Sequence, residues 1–171
     1  MKKILLVAGA ALALAGCGEK GDFEKAINAK IGQDKYCFSL DNNNTSFPIR
    51  LAKPRLDSTG TGTNSVILDG FVEQGMMVFE QGYDSNVLGI TEEGKKAKVW
   101  STTDGACVGR RAVDGIKEWT EPGNGNQKVV RVTYTWKLVD VPGWIDKKAF
   151  ASVKGMNEPA DGAMNLFKTS N

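Results

Sequence analysis

Three cysteines and a complete absence of histidine limit the chemistry that this 171-residue chain can perform. Without histidine, neither a Ser-His-Asp triad nor a Cys-His pair can form within the chain. Two thiols beyond Cys17 are too few for a closed zinc site. No Ser-x-x-Lys spacing is present, and the carboxylates considered for catalysis do not cluster along the sequence: Glu73, Glu80, Asp84 and Glu118. We therefore expect no catalytic residue, no metal and no cofactor, and we predict that the protein is not an enzyme.

The first cysteine closes an apolar stretch near the N-terminus. The stretch covers residues 4–15, twelve in all, and follows two lysines. It is shorter than the ~20 residues that a membrane-spanning helix needs, and it has the length of the hydrophobic region of a signal peptide. Its ending, Leu14-Ala15-Gly16-Cys17, resembles the lipobox of bacterial lipoprotein signal peptides. The alternative is an ordinary secretory signal followed by a chance cysteine.

The lipobox resemblance implies a lipid anchor on Cys17. In that family the sulfur receives a diacylglycerol group, the chain is cut before the cysteine, and the new amine is acylated, typically with palmitate. Two or more acyl chains hold a protein firmly on a membrane. Gly18 stands where an Asp would tend to retain a lipoprotein at the inner membrane. The resemblance therefore favours the outer membrane of the cell envelope, on its periplasmic face or at the surface.

Cleavage before Cys17 also changes the charge of the protein. Residues 1–16 contain two lysines and no acid, so the mature chain carries 20 basic and 20 acidic residues. No overall basic field remains to attract nucleic acid. We therefore expect the membrane, reached through the acylated Cys17, and another envelope protein or polymer as partners, and no nucleic acid.

The two remaining cysteines, Cys37 and Cys107, form an even pair in an exported chain. Such a pair predicts a disulfide. Closing a loop of this length stabilises a fold by about 4 kcal/mol on the chain-entropy model. A reactive thiol pair is the alternative, although the sequence lacks a Cys-x-x-Cys spacing.

The hydrophobic patterns predict an α+β fold. Residues 1–16 are assigned to the signal peptide, 17–22 to a lipidated tether and 23–171 to one domain. The residues from Val130 to Leu138 alternate between apolar and polar, which is typical of a strand with one buried face. Asp114 and Gly115 interrupt the neighbouring strand and predict a bulge. We predict helices at 22–31, from 64 or 65 to 75, and at 145–153, a helical turn at 91–96, an irregular segment at 41–64, and strands at 35–40, 76–79, 87–90, 110–120, 130–138 and 164–168.

Part of the chain resembles a winged-helix domain. The resemblance rests on two short segments, residues 71–77 (Phe-Val-Glu-Gln-Gly-Met-Met) and residues 89–96 (Gly-Ile-Thr-Glu-Glu-Gly-Lys-Lys). It implies a helical, winged-helix-like part at 23–104, packed with an antiparallel hairpin or meander at 105–171. The helix in the recognition position carries Asp69 and Glu73, which repel phosphate. The resemblance therefore implies a winged-helix fold without DNA recognition.

Two groups of side chains are candidates for a binding surface. Aromatic rings on a sheet can stack on sugars or on partner side chains, and Trp119 and Trp144 fall near the predicted hairpin, whereas we assign Trp136 to the core. The most concentrated basic residues are Lys95, Lys96, Lys98, Arg110 and Arg111. The alternatives are core packing for the aromatic residues and a solvated face for the basic ones.

These observations predict a lipid-anchored envelope lipoprotein that acts as a non-catalytic interaction or structural module. The partner would contact either the loop at 41–63 or the aromatic hairpin. Two alternatives stay open. One is a proteinaceous inhibitor of an envelope hydrolase that presents the 41–63 loop to a cleft, and the other is a binder of glycan or of an anionic polymer.

Overall fold

The computed structural model describes residues 12–41, 43, 45–52, 63–120 and 128–168. Three helices and seven strands are found in this part of the chain, and strand residues outnumber helical ones. In chain order the elements are α1 (Leu12–Ile31), β1 (Lys35–Phe38), β2 (Ile49–Ala52), α2 (Thr63–Glu73), β3 (Met77–Gln81), β4 (Ser85–Ile90), α3 (Glu92–Ala97), β5 (Ala106–Trp119), β6 (Lys128–Val139) and β7 (Ala160–Lys168).

The larger sheet has four antiparallel strands in the order β1-β5-β6-β7. The predicted alternation on β6 is confirmed, because the five residues of its predicted apolar face are all buried: Val130, Val132, Tyr134, Trp136 and Leu138. The predicted bulge on β5 is also confirmed, since the pairing with β6 shifts between Val113 and Gly115. One face of this sheet therefore forms a wall of the hydrophobic core.

Helix α1 lies along β5 and runs in the opposite direction. Near its start, Phe23 packs on Trp119 at the end of β5. Further along, the Asn28 side chain accepts a hydrogen bond of 2.8 Å from the backbone N–H of Val113. Ile27, between them, is fully buried. The N-terminal end of α1 therefore lies at the end of the sheet where β5 finishes.

The smaller sheet has three antiparallel strands in the order β2-β4-β3. Helix α2 packs against β1 and β3 and joins this sheet to the larger one. The predicted helical turn is confirmed as α3, whose N-cap Thr91 accepts a hydrogen bond of 3.0 Å from the N–H of Gly94. Buried residues from both sheets belong to one core cluster.

The predicted winged-helix-like N-terminal part is wrong. Its first helix, α1, packs on β5 of the larger sheet, and the following segment, β1, is itself a strand of that sheet. Where a second helix of that domain would lie, Ile49–Ala52 forms β2 and pairs with β4. The physical reason is visible in the sequence, because Phe47, Ile49 and Leu51 alternate with polar residues, as strand residues do. The protein is predominantly β, with a curled four-stranded sheet.

Several elements also differ from the sequence-based expectations. Residues 17–22, assigned to the tether, lie within α1, which is continuous from Leu12. The predicted helix at 145–153 is a series of tight turns, in which Val153 donates to the Phe150 carbonyl and Met156 to that of Val153. Phe150, Val153 and Met156 are all buried, and their spacing of three fits turns of three residues. Strand β7 begins at Ala160, four residues earlier than expected.

Candidate functional site

The anchoring residue lies within α1. The helix runs without a break from Leu12 to Ile31, so Cys17 is joined to the buried part of the helix by helical backbone. At a rise of 1.5 Å per residue, Cys17 lies about 9 Å along the axis from Phe23. The backbone of the lipid attachment residue therefore lies within two helical turns of the buried part of α1.

Trp119 is packed at this anchored end of the sheet. Its ring centroid lies 5.5 Å from that of Phe23, and the Lys20 ammonium lies 5.9 Å from the centroid of the indole. A cation at this distance over an indole face is weakly attractive. Trp119 is half-buried. Part of its ring packs on Phe23, and part is exposed at the surface.

A groove lies between α1 and the last two strands. It has a volume of about 220 Å³ and is lined by Glu19, Asp22, Phe23, Ala26, Val130, Leu166 and Phe167. Phe167 is 69% exposed. Because Glu19 is only two residues after Cys17, the groove opens close to the anchoring residue.

Three strands end or begin beside this groove. In the register of the larger sheet, Trp119 pairs with Val132, Val129 with Phe167, and Lys128 with Lys168. The last residues of β5 and β7 and the first residues of β6 therefore share one end of the sheet. Phe167 is not among the predicted site residues. It shares its face of β7 with Asp161, Ala163 and Asn165, and this spacing of two with small or polar residues is the sequence signal that could have identified it.

The outer edge of β7 is the second notable feature. In the described part of the chain, β7 is the last strand of the larger sheet and pairs only with β6. Its nine residues run from Ala160 to Lys168, and the six from Gly162 to Phe167 carry no charge. An edge strand presents unpaired backbone N–H and C=O groups and is a template for another strand. Natural sheets usually protect such an edge with charges or proline, and residues 162–167 contain neither.

Trp144 is placed differently from Trp119. Its ring lies 5.8 Å from that of Phe71, and its carbonyl accepts a hydrogen bond of 2.7 Å from Gln74 Nε2. Gln74 Oε1 in turn accepts one of 3.0 Å from the N–H of Asp146. These contacts hold the turn at 142–146 against α2, so Trp119 and Trp144 do not share one aromatic surface.

The predicted basic group is divided between two sheets. Lys95 and Lys96 lie on α3, which contacts β4, and they form ion pairs with Glu92 and Glu93 at 2.7 and 2.8 Å. Arg110 lies on β5 and forms an ion pair with Asp140. Each of these three cations therefore has an acidic partner.

Arg111 lies over the rings of Tyr36 and Trp136, 5.8 and 5.9 Å from their centroids. It also affects Tyr134. Burial raises the pKa of that phenol above its ordinary value of 10.0, and the positive charge of Arg111 opposes the rise. Arg111 thus contributes to packing on the larger sheet.

The predicted disulfide is present and joins β1 to β5. Cys37 and Cys107 are register partners with Cα atoms 3.9 Å apart. The bond thus closes one strand pair of the larger sheet. Of the predicted binding loop at 41–63, residues 42, 44 and 53–62 lie outside the described residues, as does the hairpin connection at 121–127.

Within the described ranges, no group of three or more Cys, Asp or Glu residues is placed to hold a metal ion. Over the same ranges, no helix combines the length and the apolar character needed to cross a bilayer. The candidate site is therefore the anchored end of the larger sheet together with the outer edge of β7.

Comparison with known proteins identifies the N-terminus alone. Residues 1–17 match the family model of the prokaryotic membrane lipoprotein lipid attachment site. No curated protein and no solved structure matches the chain. The match ends at Cys17 and supports a bacterial lipoprotein anchored in the envelope through that residue.

Proposed function

We propose that this lipoprotein is a non-catalytic binding module of the cell envelope, held at the outer membrane, which binds an extended segment of another envelope protein along β7. The observation that carries the proposal is the outer edge of β7, which has no second strand partner in the described part of the chain and carries no charge from Gly162 to Phe167. A strand added to such an edge gains main-chain hydrogen bonds, and side chains on alternate positions give specificity.

The remaining surface features support this choice among the possible partners. Lys95, Lys96 and Arg110 have acidic partners, which reduces their value for binding an anionic polymer. The mature chain has no net charge. Trp119 and Trp144 each pack on a phenylalanine of the core, which leaves less of their rings for stacking on a sugar. A protein strand is the partner that the edge of β7 fits best.

Photo-crosslinking in living cells tests this proposal. A photoreactive amino acid is placed at Ala163 or at Asn165, two exposed positions of β7 that point to the same face. Because side chains of a strand repeat every two residues, both labels should react with one partner. The crosslinked residues of that partner, mapped by mass spectrometry, should lie two positions apart.

The matched control is a label at Val78. This residue is 41% exposed and lies on β3, an edge strand of the smaller sheet. It should give no adduct with the same partner. Equal labelling from Val78, or adducts from the two β7 positions on unrelated proteins, would contradict the proposal.

A further inference from the structure

We propose that the end of the larger sheet around Phe167 and Trp119 is a second membrane contact, which rests in the headgroup region of the bilayer that holds the acylated Cys17. The contact fixes the orientation of the domain, with the strands of the larger sheet pointing away from the membrane. It adds a bilayer-binding surface to the lipid anchor, at the end of β7 that carries Phe167.

A continuous helix connects the anchoring residue to the folded domain. Cys17 belongs to the same helix as Phe23 and Ile27, which are 8% and 0% exposed. The acyl chains lie in the hydrocarbon of the bilayer, so the first turn of α1 after Cys17 must lie at its surface. Because α1 is packed along β5, the orientation of the helix is also that of the sheet.

Apolar side chains lie at the same end of the larger sheet as the anchoring residue. Phe167 lines one groove with Glu19, two residues from the acylated position, and is 69% exposed. Trp119 packs on Phe23 at the neighbouring strand end. Aromatic residues are enriched at the depth of the headgroups, where an apolar ring meets a polar boundary. The exposed ring of Phe167, close to the anchoring residue, can therefore enter the apolar side of the headgroup region.

Charged residues of both signs lie at this end of the sheet. Lys20 lies over the Trp119 ring at this end of the sheet. A lysine at a membrane boundary keeps its ammonium among the headgroups while its stem covers apolar surface. Glu19 and Asp22 on the groove wall match the ammonium group of a zwitterionic phospholipid. The committed partner is therefore a zwitterionic lipid surface.

The test uses the acylated mature protein in vesicles of phosphatidylcholine and phosphatidylethanolamine. A nitroxide attached at Phe167→Cys reports its depth through collisions with oxygen, which concentrates in the bilayer, and with a nickel chelate, which stays in water. The control label is at Tyr83→Cys, in the turn between β3 and β4, where the side chain is 93% exposed. We expect the label at 167 to favour oxygen and the label at 83 to match free solution.

A second pair of variants separates contact from mere closeness to the anchor. A label at Val129→Cys, the register partner of Phe167, should also favour oxygen. Adding Phe167→Asp should return this label to the solution value, whereas Tyr83→Asp should not change it. The proposal is overturned if the label at 167 is as accessible to nickel as the label at 83, or if Phe167→Asp leaves position 129 unchanged. Protection from both reagents would indicate contact with a second copy and would also overturn it.

Discussion

At the residue scale, the close approach of β7 to Tyr134 depends on a missing side chain. Gly162 and Tyr134 are register partners on β7 and β6. A Cβ atom built at Gly162 would lie 2.6 Å from Cζ of the tyrosine ring. Tyr134 is 5% exposed, so its ring has little freedom to move aside. The strand with the free edge is therefore held to the sheet at a position where only glycine fits.

Replacing this glycine should destabilise the protein. We expect Gly162→Ala to lower the free energy of unfolding by about 1–3 kcal/mol, because the added methyl group overpacks a filled site. Urea unfolding followed by tryptophan fluorescence measures the change. Gly143→Ala is the matched control, since a Cβ there would meet no atom within 4 Å. Equal stability of the two variants would show that the Tyr134 ring can move away.

Tyr134 also gives a prediction about pH. Its raised pKa, caused first by burial, means that the folded state favours the protonated phenol. This contribution to stability is complete below the ordinary value of 10.0 and is lost as the pH rises through the higher pKa of the folded state. We expect the stability of the wild type to fall above pH ~10, and that of Tyr134→Phe to fall less.

The measurement is the free energy of unfolding in urea between pH 8 and 11. Tyr83→Phe serves as the control, because Tyr83 is 93% exposed, and this variant should retain the alkaline decline of the wild type. If the free energy of unfolding of Tyr134→Phe falls by the same amount, titratable groups other than Tyr134 cause the alkaline decline. The raised pKa depends on burial of the ring in the larger sheet, beside Gly162 of β7, which the sequence around Tyr134 does not reveal.

At the scale of elements, the disulfide is the link that ties the short strand β1 to β5. Strand β1 has only four residues, and few backbone hydrogen bonds can hold it. The bond joins positions 70 residues apart in the sequence. It therefore restricts the unfolded chain strongly while it keeps β1 at the edge of the larger sheet.

Removal of this bond should cost stability. We expect the Cys37→Ser and Cys107→Ser double variant to lose about 4 kcal/mol of unfolding free energy on the chain-entropy model. Urea unfolding with and without reductant measures the loss. Reductant should lower the stability of the wild type and leave the double variant unaffected. A wild type that is equally stable after reduction would show that packing alone holds β1.

Elements with a strong periodic pattern were predictable, and elements decided by their neighbours were not. The alternation on β6 and the Thr91 cap of α3 are local signals, and both predictions are confirmed. The turns at 145–153 were mistaken for a helix because apolar spacings of three and four look alike over nine residues. The alternation of Phe47, Ile49 and Leu51 is too short to predict β2 between Pro48 and Pro54 by itself, and pairing with β4 stabilises the strand.

At the scale of the whole molecule, the anchor and the fold form one unit. Helix α1 carries Cys17 six residues before Phe23 and contacts β5 through Phe23 and Asn28. The lipid attachment residue is therefore joined to the domain by a packed helix, where the sequence predicted a short lipidated tether. This arrangement makes the orientation of the sheet a property of the fold.

Lipid attachment should depend on Cys17 alone. We expect Cys17→Ala to abolish incorporation of a clickable fatty acid, because the lipobox assigns acylation to this sulfur. Gel fluorescence of the purified protein and its intact mass measure the result. The Cys37→Ala and Cys107→Ala double variant should incorporate the fatty acid as the wild type does. Residual labelling of Cys17→Ala would place an acyl chain elsewhere.

Features that depend on residues close together in the chain can be predicted from the sequence. The lipid attachment site is read as a short linear motif that ends at Cys17, and the pairing of Cys37 with Cys107 follows from there being two cysteines left in an exported chain. The apolar face of β6 also follows from local alternation. None of these features requires knowledge of which elements meet in space.

Only the tertiary structure decided which features share a surface. It placed Phe167 beside the anchored end of α1, separated Lys95 from Arg110, and left the edge of β7 without a strand partner in the described part of the chain. These outcomes depend on the order and register of strands, which many distant contacts select together. Short segments such as residues 71–77 carry too little of that information, so the winged-helix resemblance predicted the wrong arrangement.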